Sequence, residues 1–426
     1  MSNLISGRGM YSFITIILYK IMLDISYITY VSEVFEYSGF ILDFNIYNYI
    51  FSNIILISIL FFVPNQFEKI SDWFLNLFYL IILIPLGSMY GLNQKLDILV
   101  FLINVFVYII IYLMLRIKQV KIPKIKYISK GEGVFLSLSL VMIFYLIFWY
   151  IVTGAISNFN LDFSKVYDFR EINAELTNIG FAAYVNNWVY QIFSLSLLGY
   201  GFLKKNNSII IFSLISQVVF FGVSAHKAVL FSIFMIVGLY YFFKLTKNLI
   251  IIPIFFVLLI SVSLYIANDD SHSIYPSIFI RRLFFVPAQL SYAYYDFFQQ
   301  NPYDLWAKSI MSLFYNTNYP EGIPKTIGNF LGDGASANNG FVSSGYAQAG
   351  IFGVLLYTII TAWILKIIDY LSATNSYPLW FSLILVVNPL KNLMVSSDLF
   401  TTLLTHGLLI SMVLLVLFNK KGAVEK

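Results

Sequence analysis

The chain contains no cysteine, three histidines and only 11% charged residues among its 426. Without cysteine there are no disulfides, no thiol nucleophile and no cysteine metal site, so any large loop must hold its shape by non-covalent packing. No Ser-His-Asp order, phosphate-cradling glycine loop or histidine-rich ligand spacing appears, which removes the familiar motifs of soluble enzymes. With so little charge, a water-facing surface cannot be built either.

What is abundant is apolar surface. The chain is 59% hydrophobic, with 42 Phe and 32 Tyr, and its mean hydropathy is +0.81. Apolar runs recur from end to end, near 11–31, 41–63, 74–92, 97–115, 133–153, 182–202, 207–223, 228–244, 248–267, 346–366, 377–395 and 399–418. That is about 12 segments long enough to cross a hydrocarbon core of about 30 Å. Lipid offers no partner to an unpaired backbone group, so such spans must be helices. The expected fold is an all-α polytopic integral membrane protein in which 1–426 is a single membrane domain. The first run follows Arg8 but lacks a small-residue cleavage site, so it reads as a retained helix rather than a signal peptide.

Lys and Arg placement sets the expected orientation. Both termini inside puts most of the 26 basic residues on the cytoplasmic side, many of them in the linker "RIKQVKIPKIKYISKGEG", and most acids outside. The net charge of +5 is then a signature of topology, and no nucleic-acid partner is expected. Two outer segments are long, 154–181 and 268–345, and both are expected to contain interfacial helices; the later half of the second, rich in Gly, Asn and Pro, is expected as ordered turns or a flexible lid rather than more helix. No solenoid repeat and no inverted repeat of the transporter kind is visible.

The outer segments hold the candidate chemistry. In "FSKVYDFREINAELTNIGFAAY" the spacing of Val166, Phe169, Ile172 and Leu176 predicts an amphipathic helix with Asp168, Arg170, Glu171 and Glu175 on its wet face. Arg170 can be a solvated ion-pair partner of Asp168 and Glu171, or a site cation. In "FIRRLFFVPAQLSYAYYDFFQQNP" an ideal helix gathers Arg281, Arg282, Gln289, Tyr292, Asp296 and Gln299 into one polar stripe lying at the interface, with Pro287 as a kink or first turn. That stripe can anchor the helix to anionic lipid or present guanidinium donors to a phosphate-bearing headgroup. In "FFGVSAHKAVLF", His226 and Lys227 occupy a tight turn with few polar neighbours, where a lysine must snorkel or face a cavity.

Other polar residues carry less. Asp269, Asp270 and His272 in "NDDSHS" could ligate a divalent ion, but adjacent acids in a loop are more often solvated, and no metal or cofactor is expected. Lys20 and Asp24 sit at i, i+4 in the first span and neutralise each other. His406 in "TTLLTHGLL" reads as a packed or hydrogen-bonded helix histidine rather than a catalyst.

The layout of many spans with two large outer loops resembles the Wzy-type O-antigen polymerases. So does local texture: "LDISY", "VYDFR", "GVSAHKAVLF", "IRRLFFVPAQLSYAYYDFF" and "ANNGFVSSGYAQAGIFG". The resemblance implies a GT-C-like glycosyltransferase of the bacterial inner membrane with a periplasmic active site. It implies transfer of a growing polysaccharide from undecaprenyl diphosphate to the non-reducing end of a lipid-linked repeat unit. Membrane lipid, a chain-length regulator and other O-antigen assembly proteins would be partners. On this reading Arg170, Arg281, Arg282 and Lys227 neutralise the leaving diphosphate. Asp168, Glu171, His226 and His272 are the candidates for a base on the attacking hydroxyl. Tyr167, Tyr292 and Tyr346, with Asn338 and Asn339, would line the glycan groove. The rivals are an O-antigen ligase, which shares the donor, and a lipid-linked oligosaccharide flippase. A flippase would concentrate ionisable residues within its helices rather than in outer loops.

Overall fold

The computed structural model describes residues 7–117, 128–162, 166–270, 274–309, 311–332 and 334–419; the side chains of residues 7–9, 166–168 and 171 are outside that description. The chain is an all-α polytopic membrane protein. Among the described residues, nine helices are long and apolar enough to cross a membrane: Met10–Val34 (α1), Ile70–Leu92 (α3), Ile98–Arg116 (α4), Gly131–Val152 (α5), Asn207–Ser224 (α8), Lys227–Leu245 (α9), Ile251–Asp269 (α10), Phe341–Ala373 (α13) and Leu399–Leu417 (α15). The other three expected spans are helical too, but fall short of that group. Ile46–Leu60 (α2) and Leu379–Val395 (α14) are shorter, and α7, covering 181–204, carries Asn186, Asn187 and Gln191 in its first half.

Short polar residues stop the apolar runs and cap the next helix. Asn45 accepts from the amides of Tyr47 and Asn48, Asp97 from Leu99, Asn206 from Ile209, and Asp398 from Phe400 and Thr401. Each satisfies backbone donors that would otherwise meet lipid or protein unpaired. The 18-residue window of α3 is wholly buried, so this helix is the axis around which the others pack. Phenols bind the bundle together: Tyr79 donates to Leu56 O at 2.9 Å, Tyr108 to Phe62 O at 3.2 Å and Tyr19 to Leu80 O at 2.9 Å. Leu80 lies in a π turn, Tyr79–Leu83, whose wider spacing frees carbonyls from the ordinary helical ladder.

Opposite ends of the bundle differ in chemistry. At one end Lys204 pairs with Glu132, which also accepts from Tyr377, Lys366 donates to Ile117 O, and the connections at Asn65 and Lys247 pair through Phe67 N and Leu249 N. The other end carries both long loops. In the first, helix Val166–Thr177 (α6) docks through Asn173, which donates to Val223 O at 2.7 Å, and Thr177, whose carbonyl accepts from Trp149. Asn173 and Thr177 are buried and Leu176 packs against the core, while Ile172 remains 51% exposed.

The second loop corrects two expectations. Its first part, α11 over 274–300, packs into the bundle instead of presenting one polar stripe. Phe284 meets Tyr19 and Phe256 at 5.8 and 5.2 Å, and most of the side chains from Phe284 to Tyr295 are buried. The segment Ser277–Phe285 is a π-helix, so the ideal-helix projection that drew one polar stripe does not apply: Tyr292 is buried and Gln289 is tied to Ser38 O. The later part is not all turns. It contains helix Ile323–Leu331 (α12) and the start of α13. Non-helical Ala349 and Gly350 break α13. A Cβ on Gly353 would lie 2.0 Å from Gly345 O, so the two halves of α13 fold back on each other. The stretch expected as one span at 346–366 thus begins with a buried hairpin.

Candidate functional site

A polar cavity of about 160 Å³ lies at the loop-bearing end. Three local features build it. The first is a π turn in α7, Val189–Phe193, which turns Tyr190 and Gln191 into the cavity. Their freed carbonyls accept from Gln217 and Asn388, at 2.8 and 2.9 Å. The second is α14, where Asn388, Lys391 and Asn392 recur at i, i+3 and i+4 and so share one face. The third is the break in α15. Gly407 takes a left-handed φ of +70°, and a Cβ there would meet Ile192 at 2.4 Å; the interruption presents His406. Non-helical backbone at membrane depth is tolerated where it is buried or lines a cavity.

One hydrogen-bonded net joins these walls. Asn392 donates to Gln191 Oε1 at 2.7 Å, Gln191 Nε2 lies 3.0 Å from Asn187 Oδ1 and 3.2 Å from His406 Nδ1, and Tyr190 donates to Asn187 Oδ1 at 2.8 Å. His226 enters from the turn between α8 and α9, where Ala225 is held at φ +53°, a conformation that costs a non-glycine residue about 1 kcal/mol. Burial, and then the positive charge of Arg170, push His226 down to about 4. Arg170 therefore lies close enough for its field to reach the cavity.

Among the described residues the lining contains one lysine, two histidines and a set of neutral amides, with no carboxylate. Lys391 has no hydrogen-bond or ion-pair partner among the described residues. A cation facing a cavity without a counter-ion is a site for an anion. The volume leaves room for several waters or a phosphate-sized group. No group of three or more His, Cys, Asp or Glu that could hold a metal ion occurs among the described residues.

Of the candidates drawn from the sequence, His226 lines the cavity, Arg170 acts on it from α6, and Lys227 adjoins it at the first turn of α9. The arginine pair is nearby but not in the wall. Phe279 meets Phe231 of α9 edge-on at 5.9 Å, which sets the π segment beside α9. The two arginines diverge there. Arg281 is half-buried, hydrogen-bonded to Ser277 Oγ at 3.2 and 3.3 Å and stacked 4.2 Å over Phe35, whereas Arg282 is exposed. His272 and the side chains of Tyr167, Asp168 and Glu171 lie outside the described residues.

The residues expected to line a glycan groove do not form one surface. Tyr292 is buried and donates to Leu86 O, and Tyr346 is buried against Tyr295 and Tyr303. Asn339 donates to Pro287 O, Ser291 Oγ and Ser343 Oγ and accepts from Gly340 N, so its amide is committed to the fold. Asn338 is exposed. Tyr346, Ser291 and Ser343 instead line a second cavity of about 20 Å³, room for a single water.

The fold defines a multi-pass membrane protein, with a polar cavity at its loop-bearing end. No family model, curated protein or solved structure matches the chain.

Proposed function

We propose that the chain is an O-antigen polymerase of the Wzy type. It joins a polysaccharide carried on undecaprenyl diphosphate to the non-reducing end of a lipid-linked repeat unit. The nine long apolar helices together with α2, α7 and α14 make about 12 crossings, which keeps both termini in the cytoplasm. The loop-bearing end faces the periplasm, because the opposite end carries the denser set of lysines and arginines.

The observation that carries the reading is the cavity that holds Lys391 and, among the described residues, no carboxylate, with the charge of Arg170 felt at its His226. In the reaction the bond from the anomeric carbon to the diphosphate oxygen breaks and a bond to the acceptor hydroxyl oxygen forms. Undecaprenyl diphosphate departs with the electron pair, and the hydroxyl proton passes to a base. Cations and amide donors placed where charge accumulates lower that barrier. Lys391 and Arg170 take the diphosphate, Arg282 and Lys227 supply positive potential around it, and His226, kept neutral, is the base in the wall that the charge of Arg170 reaches.

The test is deletion of the gene in its native host, with the lipopolysaccharide ladder as readout. Core bearing a single repeat, restored to long chains by the wild-type gene, supports the polymerase. Bare core would point to ligation or flipping instead. Restoration of long chains by both Lys391→Met and Arg170→Ala would sink the site assignment.

A further inference from the structure

The second loop carries a turn of unusual exposure. Leu313 is 89% and Phe314 77% exposed, with Met311 and Tyr315 also exposed beside them. Four apolar side chains in a short turn are costly in water, and a patch of this kind marks a contact surface.

Its tether fixes where that surface lies. Met311 N donates to Trp306 O at 3.1 Å, and Tyr315 donates through its hydroxyl to Leu305 O, so the turn doubles back on Trp306. Trp306 is held firmly. Its amide donates to Gln348 Oε1 at 2.6 Å and its indole N–H to Tyr357 Oη at 2.8 Å. Leu305 and Trp306 both hold left-handed φ, +50° and +60°, a strain tolerated only when surrounding bonds over-determine it. Tyr357 is seven residues beyond Gly350 in a membrane-spanning helix, about 10 Å along its axis. Tyr357 is itself fully buried, so the anchor ties the base of the turn to the protein side of that span and leaves only the tip outside.

We propose that residues 311–315 insert into the lipid interface at the loop-bearing end, with Leu313 and Phe314 among the acyl chains. The flanking chemistry fits that occupant. Tyr315, exposed at the end of the turn, and the partly buried Trp306 at its base are the ring types that favour the headgroup level. The turn then fixes the height of the whole second loop against the membrane surface. This inference does not depend on the polymerase reading.

The absence of cysteine makes the test direct. Full-length Leu313→Cys and Phe314→Cys proteins, each carrying one environment-sensitive fluorophore, are placed in nanodiscs of phosphatidylethanolamine and phosphatidylglycerol. Glu321→Cys, an exposed loop position, is the aqueous control. Insertion gives blue-shifted emission at both tip positions, quenching by shallow spin-labelled lipid severalfold above the control, and protection from iodide. Emission and iodide quenching equal to the control would overturn the proposal, and would leave the turn as a surface for a protein partner. Both substitutions are at exposed side chains, and monodisperse elution of each labelled protein confirms that the fold is retained.

Discussion

Asn392 and Gln191 meet across two helices, the Nδ2 of one donating to the Oε1 of the other at 2.7 Å. Gln191 also lies within hydrogen-bond reach of Asn187 and His406, so a single amide ties the π turn of α7 to α14 and to the break in α15. Replacing Gln191 with Leu strands three polar partners at once. The expected cost is about 1–3 kcal/mol, read as a lowered unfolding midpoint in detergent. An unchanged midpoint would mean that water replaces Gln191 freely and that the walls stand independently.

Lys391 is expected to behave in the opposite way. It faces the cavity from α14 with no counter-ion among the described residues, so Lys391→Met removes a charge that those residues do not neutralise. Stability should be unchanged or rise by about 1 kcal/mol, while long-chain product is lost. If the variant instead unfolds more readily and its residual folded fraction keeps full activity, Lys391 is structural.

Much of this was legible in advance, and the remainder failed for definable reasons. Chain-long apolar runs gave the helices because lipid permits little else. The turn at His226 and Lys227 stood out because polar residues are scarce around it. Lys391 did carry a signal: Asn388, Lys391 and Asn392 at i, i+3 and i+4 in an apolar run mark a polar helix face, as do Asn187, Tyr190 and Gln191. Its place inside the apolar run 377–395, away from both long outer segments, concealed it. The stripe through Arg281 and Arg282 misled because it assumed 3.6 residues per turn where the helix is π, and a π turn leaves no dependable mark in sequence. Nor could Gly345 and Gly353 be seen to touch, since eight residues of unbroken helix would hold them about 12 Å apart.

The pH dependence of stability follows from His226. Its folded value near 4 is below the ordinary value of 6.5, so the unfolded chain binds the proton more readily. The stability contributed by neutral His226 is full above about pH 6.5 and is lost as pH falls toward 4. The unfolding midpoint should therefore drop between about pH 7 and about pH 5, and His226→Gln should make that slope shallower. Arg170→Gln should shrink the slope as well, because the arginine charge is one of the two causes of the shift. A slope identical in all three proteins would show that His226 is freely solvated.

The last prediction concerns the hairpin inside α13. A Cβ on Gly353 would sit 2.0 Å from Gly345 O, whereas one on Gly345 would sit 2.9 Å from Gly353 O. Both clashes are with backbone, which cannot rotate away, and the first is much the closer. Gly353→Ala should thus cost about 2–3 kcal/mol and Gly345→Ala about 1 kcal/mol. Because Ala347 O and Gln348 O accept the amides of Asp304 and Leu305, prying the hairpin apart should also release the second loop. Limited proteolysis of 302–340 should accelerate in Gly353→Ala before global unfolding does. Equal stability of the two variants, or an unchanged cleavage rate, would show that the helix halves do not meet at these glycines.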